Sequence, residues 1–194
     1  MVRRKDRKLE ILQTLAAMLE APAAEKITTA ALAARLDVSE AALYRHFASK
    51  AQMFEGLIEF IENTLFGLIN KITTDEKDGL RQIESIVVML LSFAQKNRGM
   101  TRVLIGDALV HENQRLQLRI NQLHERLEAT FKQALRFAAT QHQQNADAEA
   151  LDPSSQANLI MSYVAGRWHQ FAKSGFTRDP MQYWNTQRLL LLTL

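Results

Sequence analysis

Apolar residues recur every three or four positions along most of the chain, which is the spacing that one buried face of an α-helix produces. One such run extends from Leu9 to about Glu20, and a longer one extends from Lys50 to about Thr73. The longer run has apolar residues at Phe54, Leu57, Ile58, Ile61, Leu65, Leu68, Ile69 and Ile72. The pattern predicts an all-α protein in which one long amphipathic helix begins near residue 50.

Start and stop signals divide the rest of the chain into further helices. These predicted helices cover about residues 80–96, 100–111, 112–143, 153–173 and 180–192. Gly106 interrupts the second of them. Asp152-Pro153 and Asp179-Pro180 are predicted to open the last two, because proline fits the first turn of a helix. The polar segment 141–153 is predicted to be a surface loop.

Four consecutive leucines, residues 189–192, lie in the last predicted helix. They cannot all face one core, because a helix has a single buried stripe. The simplest cover is the same pair of helices from a second subunit, in a two-fold four-helix bundle. Packing within the monomer is the alternative. We therefore expect a homodimer.

Residues 28–50 predict two short helices joined by a tight turn. Thr28 and Thr29 can cap the first helix and Ser39 the second, because their hydroxyl oxygens accept hydrogen bonds from amides that a helix start leaves unpaired. Asp37 lies at the turn, where aspartate tolerates a left-handed backbone. A third helix is predicted to begin at Ser49, which forms a capping-box pattern with Gln52 and places Lys50 in its first turn.

The second of these helices has one buried and one exposed side. Leu43 and Phe47 lie four residues apart and face inward with Val38, which leaves Tyr44, Arg45 and His46 pointing outward. Such a pair is either a plain helical hairpin or a helix-turn-helix whose second helix enters a DNA major groove.

Basic residues are concentrated in and before this helix pair. Residues 1–50 hold nine Lys and Arg against six Asp and Glu, whereas residues 51–194 hold fifteen of each, so the whole net charge of +3 belongs to the N-terminal segment. An arm of Arg3, Arg4, Lys5, Arg7 and Lys8 precedes the first helix. A charge run is often just a solvated face, but before a helix-turn-helix we expect it to lie along phosphates or in a minor groove.

Residues 28–50 closely resemble the TetR-type DNA-binding domain through the pattern TT..LA..L.VS...LY.HF..K. The resemblance implies a TetR-like fold, with a three-helix DNA-binding domain at residues 1–49 and a larger helical dimerisation and regulatory domain at residues 50–194. It also implies palindromic double-stranded DNA as a partner. The candidate DNA-binding residues are Arg3, Arg4, Thr28, Thr29, Ser39, Glu40, Ala41, Tyr44, Arg45, His46 and Lys50.

Several classes of protein are unlike this sequence. The chain has no cysteine, which removes disulfides, thiolate metal sites and cysteine nucleophiles. The glycine-rich nucleotide motifs and the nucleophile elbow are missing, and its five histidines show no zinc-ligand spacing. We therefore expect neither an enzyme nor a cofactor or metal site. We also expect no membrane span and a cytoplasmic location.

A narrower resemblance covers residues 28–129. The runs SEAALYRHF.SK..MF..LIEFIE..L...IN.I..DEKD, N.G.TR.L.G.AL and RLQ.RINQL.ER.EA are similar to the nucleoid-occlusion branch of the TetR-type family. That resemblance implies a DNA-bound inhibitor of cell division, acting as a homodimer or as pairs of dimers. Its implied protein partner is the C-terminal tail of FtsZ, the tubulin-like division protein whose polymers it would disrupt over the nucleoid.

The same resemblance implies a partner groove between the fourth and fifth helices. The positions it offers here are Phe60, Met89, Ser92, Lys96 and Asn97. An apolar floor with a cationic rim would suit an extended peptide carrying acidic residues. Leu68 stands where relatives in this branch carry a basic residue. The rival interpretation is a ligand-gated repressor with a small-molecule pocket among its central helices, although their Leu, Ile and Val content is more typical of a filled core.

Overall fold

The computed structural model describes residues 4–21, 27–142 and 152–192. Within these residues the secondary structure consists of α-helices and one 3₁₀ turn, which confirms the all-α prediction. The elements are α1 (Arg4–Met18), α2 (Thr29–Arg35), α3 (Glu40–Tyr44), α4 (Lys50–Asp75), α5 (Gly79–Lys96), α6 (Arg98–Leu104), the 3₁₀ turn (Asp107–Leu109), α7 (Gln114–His142), α8 (Pro153–Lys173) and α9 (Trp184–Leu191). Most of the predicted surface loop, residues 143–151, lies outside the described residues.

The chain forms two compact units, and each combines two separate stretches of sequence. The first unit consists of Met1–Glu62 and Asn97–Ile120. It contains α1, α2, α3 and α6, together with the N-terminal parts of α4 and α7. Its core is aliphatic and aromatic and includes Ile11, Leu15, Leu32, Leu43, Phe47, Met53, Phe54, Val103 and Leu116. The proposed domain boundary between residues 49 and 50 stays a prediction.

Helices α1 and α6 pack closely within the first unit. Gly99 makes this possible, because a Cβ atom at that position would lie 1.9 Å from the carbonyl oxygen of Ala16. Gly106 has a left-handed backbone (φ 77°) between α6 and the 3₁₀ turn, as its predicted interruption of the helix requires. Gly99 therefore allows α6 to lie beside α1, and Gly106 allows the turn that follows α6.

The second unit consists of Asn63–Lys96 and Asn121–Leu194. Trp168 lies at its centre, fully buried, and its indole Nε1–H donates to the carbonyl oxygen of Leu90 at 3.1 Å. The start of α8 is as predicted: Asp152 is the N-cap, its Oδ2 accepts from the amide of Ser155 at 2.9 Å, and Pro153 is the first helical residue. The hydrogen bonds at Asp152 hold the pKa of its carboxyl below the usual value.

The predicted start of the last helix is wrong. Helix α9 begins at Trp184 rather than at Asp179-Pro180. Arg167 donates to the carbonyl oxygen of Pro180 at 2.9 Å and to that of Asp179 at 2.6 Å. The segment between Asp179 and α9 makes turns, in which the amide of Gln182 bonds to the carbonyl of Asp179 and that of Trp184 to the carbonyl of Met181.

The predicted apolar stripe of the long helix also needs a correction. α4 has the predicted length, and Phe54, Leu57, Ile58, Ile61 and Leu65 are buried as expected. Leu68, however, keeps 41% of its surface exposed. Its neighbour Ile69 takes the buried position in that turn. Among the described residues, no helix combines the length and the apolar character that a membrane crossing requires.

Candidate nucleic-acid interface

The two short helices of residues 28–50 are built by the predicted caps. The hydroxyl oxygen of Thr28 accepts from the amide of Ala31 at 3.1 Å, and that of Ser39 accepts from the amide of Ala42 at 3.3 Å. The turn between the helices contains Asp37 with a left-handed backbone at φ 52°. These local interactions form a helix-turn-helix with α3 as its second helix.

A chain of side-chain hydrogen bonds joins the outer faces of α2 and α3. Thr29 donates from its hydroxyl to the carboxylate of Glu40 at 2.5 Å, and the hydroxyl of Tyr44 donates to that of Thr29 at 3.4 Å. The three residues therefore orient one another on the exposed side of the helix pair. Sequence reasoning treated them as separate contacts to DNA and missed that they form one network.

Most of the predicted recognition face is open to solvent. Tyr44 is 46% exposed, and Ala41 and Arg45 are also exposed. His46 corrects the prediction, because it is half-buried and its Nδ1 atom is buried with no hydrogen-bond partner among the described residues. The reason is that α3 has only five residues and ends at Tyr44, so the helical spacing used to place His46 outward does not extend to it.

Lys50 is the first residue of α4. The start of α4 is capped by Ser49, whose Oγ accepts a hydrogen bond from the amide of Gln52 at 3.2 Å. The Gln52 side chain in turn accepts one from the amide of Ala48 at 2.8 Å. The ammonium group of Lys50 forms an ion pair with the carboxylate of Glu112. Local spacing predicts Lys50 in the first turn of this helix but does not identify Glu112, which is 62 residues away.

The basic arm is described only in part. Arg3 and the side chain of Arg4 lie outside the described residues. Farther along α1, the ammonium group of Lys8 lies 5.2 Å from the ring centroid of Phe47, a cation–π distance. Arg7 pairs with Glu10 at 2.6 Å. The prediction that the arm precedes the first helix is therefore wrong for four of its five basic residues, because α1 begins at Arg4.

The predicted partner-binding residues are divided between the two units. Phe60 and Asn97 belong to the first unit and are half-buried. Met89, Ser92 and Lys96 belong to the second unit, on α5, where Met89 and Ser92 are half-buried and Lys96 is exposed. The spacing of three and four places the α5 residues on one side of that helix.

The second unit also has a surface cleft of about 540 Å³. Phe66, Ile69 and Ala134 supply apolar contacts, and Asn70 and Gln133 supply polar ones. The guanidinium of Arg126 covers the Phe66 ring at 3.9 Å from its centroid. The described residues contain no group of three or more His, Asp or Glu side chains placed to bind a metal ion.

Solved structures share this fold. The fatty acid degradation regulator FadR from Bacillus halodurans aligns with a TM-score of 0.79 at 13% identity, covering 96% of this chain and 94% of that one. A structure of AibR in complex with isovaleryl coenzyme A and operator DNA aligns with a TM-score of 0.74 at 15% identity, covering 96% and 98%. At these identities the likeness shows the fold alone.

Two family models match the sequence: "Bacterial regulatory proteins, tetR family" over residues 11–57, and "Tetracyclin repressor-like, C-terminal domain", of SlmA-like type, over residues 77–193. The nucleoid occlusion factor SlmA of Alteromonas mediterranea is 50% identical, covering 96% of this chain and 94% of that protein. SlmA of Idiomarina loihiensis is also 50% identical, with 95% and 92% covered. The chain therefore belongs to the SlmA family of nucleoid occlusion factors, a branch of the tetR family of bacterial regulators.

Proposed function

We propose that this chain is a nucleoid-associated inhibitor of cell division that binds palindromic chromosomal sites as a homodimer and engages the C-terminal tail of FtsZ, thereby disrupting FtsZ polymers over the nucleoid. The observation that carries the DNA-binding half is the exposed outer face of the helix-turn-helix, with Tyr44 and Arg45 on it. Family membership makes the chain a DNA-binding regulator and not an enzyme. Approximately 50% identity to nucleoid occlusion factors supports the cell-division half.

On the DNA side, α3 is the element that enters the major groove. Its exposed residues Ala41, Tyr44 and Arg45 face base edges and phosphates, while the amides at the starts of α2 and α3 and the side chain of Lys50 contact the backbone. Arg3 and Arg4 extend this contact from the arm. A two-fold dimer would place its two α3 helices about one helical turn of DNA apart, roughly 34 Å.

The dimer is supported by an apolar surface on α8 and α9. Leu159 is 51% exposed, Leu189 63% and Leu190 78%. Large apolar side chains left together on two neighbouring helices are typical of a subunit interface. Nearby, the hydroxyl of Tyr163 is buried with no hydrogen-bond partner among the described residues, and its pKa is raised because burial disfavours the charged form. We propose that α8 and α9 of a second subunit cover this apolar surface.

For the FtsZ tail, we propose contacts along the α5 face made by Met89, Ser92 and Lys96. Met89 and Ser92 are half-buried and Lys96 is exposed, so this face places apolar surface beside a positive charge. Such a surface matches a peptide with apolar and acidic residues. Phe60 and Asn97 remain proposed contacts on the first unit. The exposed Leu68 supplies apolar surface without charge, so we do not expect it to contribute to the salt dependence of FtsZ tail binding.

Helix α4 contributes residues to both units, with Lys50 at its start. We propose that it couples the two activities, so that DNA binding favours the state that binds FtsZ. Linkage makes such coupling reciprocal, and a saturating FtsZ tail peptide should tighten DNA binding by the same factor. Equal DNA affinity with and without peptide would leave only local concentration on the chromosome.

The structure gives little support to the rival function, that of a ligand-gated repressor. The centre of the second unit is filled by buried side chains that include Ile86, Leu90, Phe131, Val164 and Trp168. The cleft of the second unit lies instead at the surface, and several of its lining residues, including Asn70, Gln133 and Phe137, are exposed. We therefore favour the division inhibitor.

The test is sedimentation of GTP-assembled FtsZ with this protein and a palindromic duplex, selected by the protein from a randomised library. A scrambled duplex of the same length is the DNA control, and Arg45→Ala is the protein control. We expect loss of pelleted polymer only with the selected duplex and the wild-type protein. Unchanged polymer despite confirmed duplex binding would reject the FtsZ activity and return the repressor as the leading function.

A further inference from the structure

Glu112 lies outside the helix-turn-helix but contacts its predicted phosphate-binding lysine. It is held just before α7, where its amide bonds to the carbonyl of Leu109 at 3.0 Å. Its carboxylate accepts a hydrogen bond from the ammonium group of Lys50. The Lys50 side chain is 21% exposed and that of Glu112 is 13% exposed. Both charges are therefore partly withdrawn from water. An ion pair in such a partly buried position is less screened than one at the surface.

The position of Lys50 makes this pair relevant to DNA. A lysine in the first turn of a helix faces the positive end of the helix dipole, which disfavours it unless an anion lies close by. A phosphate group on DNA is such an anion, and so is a carboxylate. In the free protein Glu112 supplies the negative charge that the phosphate would supply in the complex.

Two further ion pairs hold the beginning of α7 against α4 in the same unit. Arg115 pairs with Glu55 at 2.7 Å, and Arg119 pairs with Glu62 at 2.6 Å. The Glu62 carboxylate accepts a hydrogen bond from the guanidinium of Arg119 and thereby raises the pKa of Arg119. These two pairs involve neither Lys50 nor Glu112. They join the neighbouring segment to α4 independently of the Lys50–Glu112 pair, which is the pair formed by the predicted phosphate-binding lysine.

We infer that Glu112 is an intramolecular competitor of the DNA phosphate for Lys50 and thereby lowers the operator affinity of the free protein. The inference rests on the proposed DNA binding through Lys50. Binding replaces the carboxylate by a phosphate at the ammonium group, and the released carboxylate is left near the negatively charged backbone. Glu112 thus weakens DNA binding although it does not contact DNA.

The test is a double-mutant cycle with Lys50→Gln and Glu112→Gln, measured as the Kd for the duplex selected by the wild-type protein. We expect Glu112→Gln to tighten binding by about threefold for each half-site and roughly tenfold for a dimer on a palindrome. In the Lys50→Gln background the same change should alter the Kd by less than about twofold, because only long-range charge remains. Glu55→Gln is the matched control, since it removes one carboxylate from the neighbouring pair, and its effect should also stay below about twofold.

Three results would overturn the inference. Glu112→Gln could bind the selected duplex more weakly than the wild-type protein, or its gain in affinity could be no larger than that of Glu55→Gln. The third is a gain in affinity that is equal in the wild-type and Lys50→Gln backgrounds. Thermal unfolding of each variant checks that it folds. If Glu112→Gln does not fold, the side-chain carboxyl ¹³C resonance of Glu112 in the wild-type protein provides a second measurement. It should shift when the duplex is added, and an unchanged resonance would reject the exchange. Failure of the wild-type protein to select any duplex would instead reject the proposed DNA binding.

Discussion

Arg102 donates a hydrogen bond from its guanidinium Nη1 atom to the backbone carbonyl oxygen of Ala21 at 2.9 Å. The same nitrogen reaches the carbonyl oxygen of Leu19 at 3.3 Å, and Asp107 holds the guanidinium from its other side at 2.9 Å. Helix α1 ends at Met18, so these two carbonyls belong to the segment that directly follows the helix. Arg102 on α6 therefore anchors the segment after α1 within the same unit.

Arg102→Gln should lower the free energy of unfolding by about 1–3 kcal/mol, because it leaves Asp107 and the carbonyls of Leu19 and Ala21 without their cationic partner. Arg102→Lys should recover only part of the loss, since an ammonium group lacks the planar fork of donors. Urea unfolding measures both. Arg35→Gln, at the exposed end of α2, is the control and should change stability by less than about 0.5 kcal/mol. Full recovery by lysine would show that charge alone is needed.

Gly99 and Gly67 predict opposite responses to the same substitution. Gly99→Ala should destabilise by about 3 kcal/mol, the upper end of the usual cost of overpacking, because its Cβ would meet the Ala16 carbonyl oxygen at 1.9 Å. Gly67→Ala, in α4 with nothing within 4 Å of its added Cβ, should stabilise by up to about 1 kcal/mol through helix propensity. Thermal unfolding distinguishes them. A tolerated alanine at position 99 would contradict the close packing of α1 and α6.

Arg45→Ala should weaken binding to the selected duplex by at least about fivefold, the lower end of the cost of losing a good base contact. Because Arg45 is exposed, the melting temperature of the variant should equal that of the wild-type protein. Arg178→Ala removes an exposed arginine from the second unit and is the matched control for net charge. Fluorescence anisotropy gives both affinities. Equal loss in the two variants would indicate non-specific charge rather than a contact by α3.

Replacing both Leu189 and Leu190 by glutamate should convert the proposed dimer to a monomer. The two carboxylates would have to be buried without partners in the subunit interface, at a cost that exceeds the apolar contact they replace. Sedimentation velocity reports the change, and affinity for the palindromic duplex should fall with it. Leu118→Glu is the control, because Leu118 is 55% exposed on α7 in the other unit. A double variant that remains dimeric would place the interface elsewhere.

Asp152 predicts a dependence of stability on acid. Hydrogen bonds from the backbone amides of Ser155 and Ser154 hold the pKa of its carboxyl below the usual value of 3.8. A lowered pKa in the folded state means that the stabilising effect is present above pH 3.8 and is lost as the pH falls through the folded-state pKa. The stability difference between the wild-type protein and Asp152→Asn, measured by urea unfolding, should therefore shrink in acid. A difference that persists there would assign the cap to hydrogen bonding alone.

Features whose causes lie within a few residues of one another could be predicted from the sequence. Caps at Thr28, Ser39 and Asp152 act on amides three residues away, and the left-handed turn at Asp37 depends on its own side chain. Helical spacing likewise predicted the long helix α4 and most of its buried face. The fold class and the outline of the candidate DNA interface follow from such local signals, because helix formation and capping are local interactions.

Contacts between groups that are distant in sequence depend on how the helices pack. Glu112 is 62 residues from Lys50, and no local spacing connects them. Helix α9 starts later than its local signal predicts, and Arg167, on another helix, donates to the carbonyls of Asp179 and Pro180 just before it. Leu68 matches the apolar spacing of α4 but lies on its exposed side. In each case the outcome depends on how helices pack together, which periodicity along a single helix does not contain.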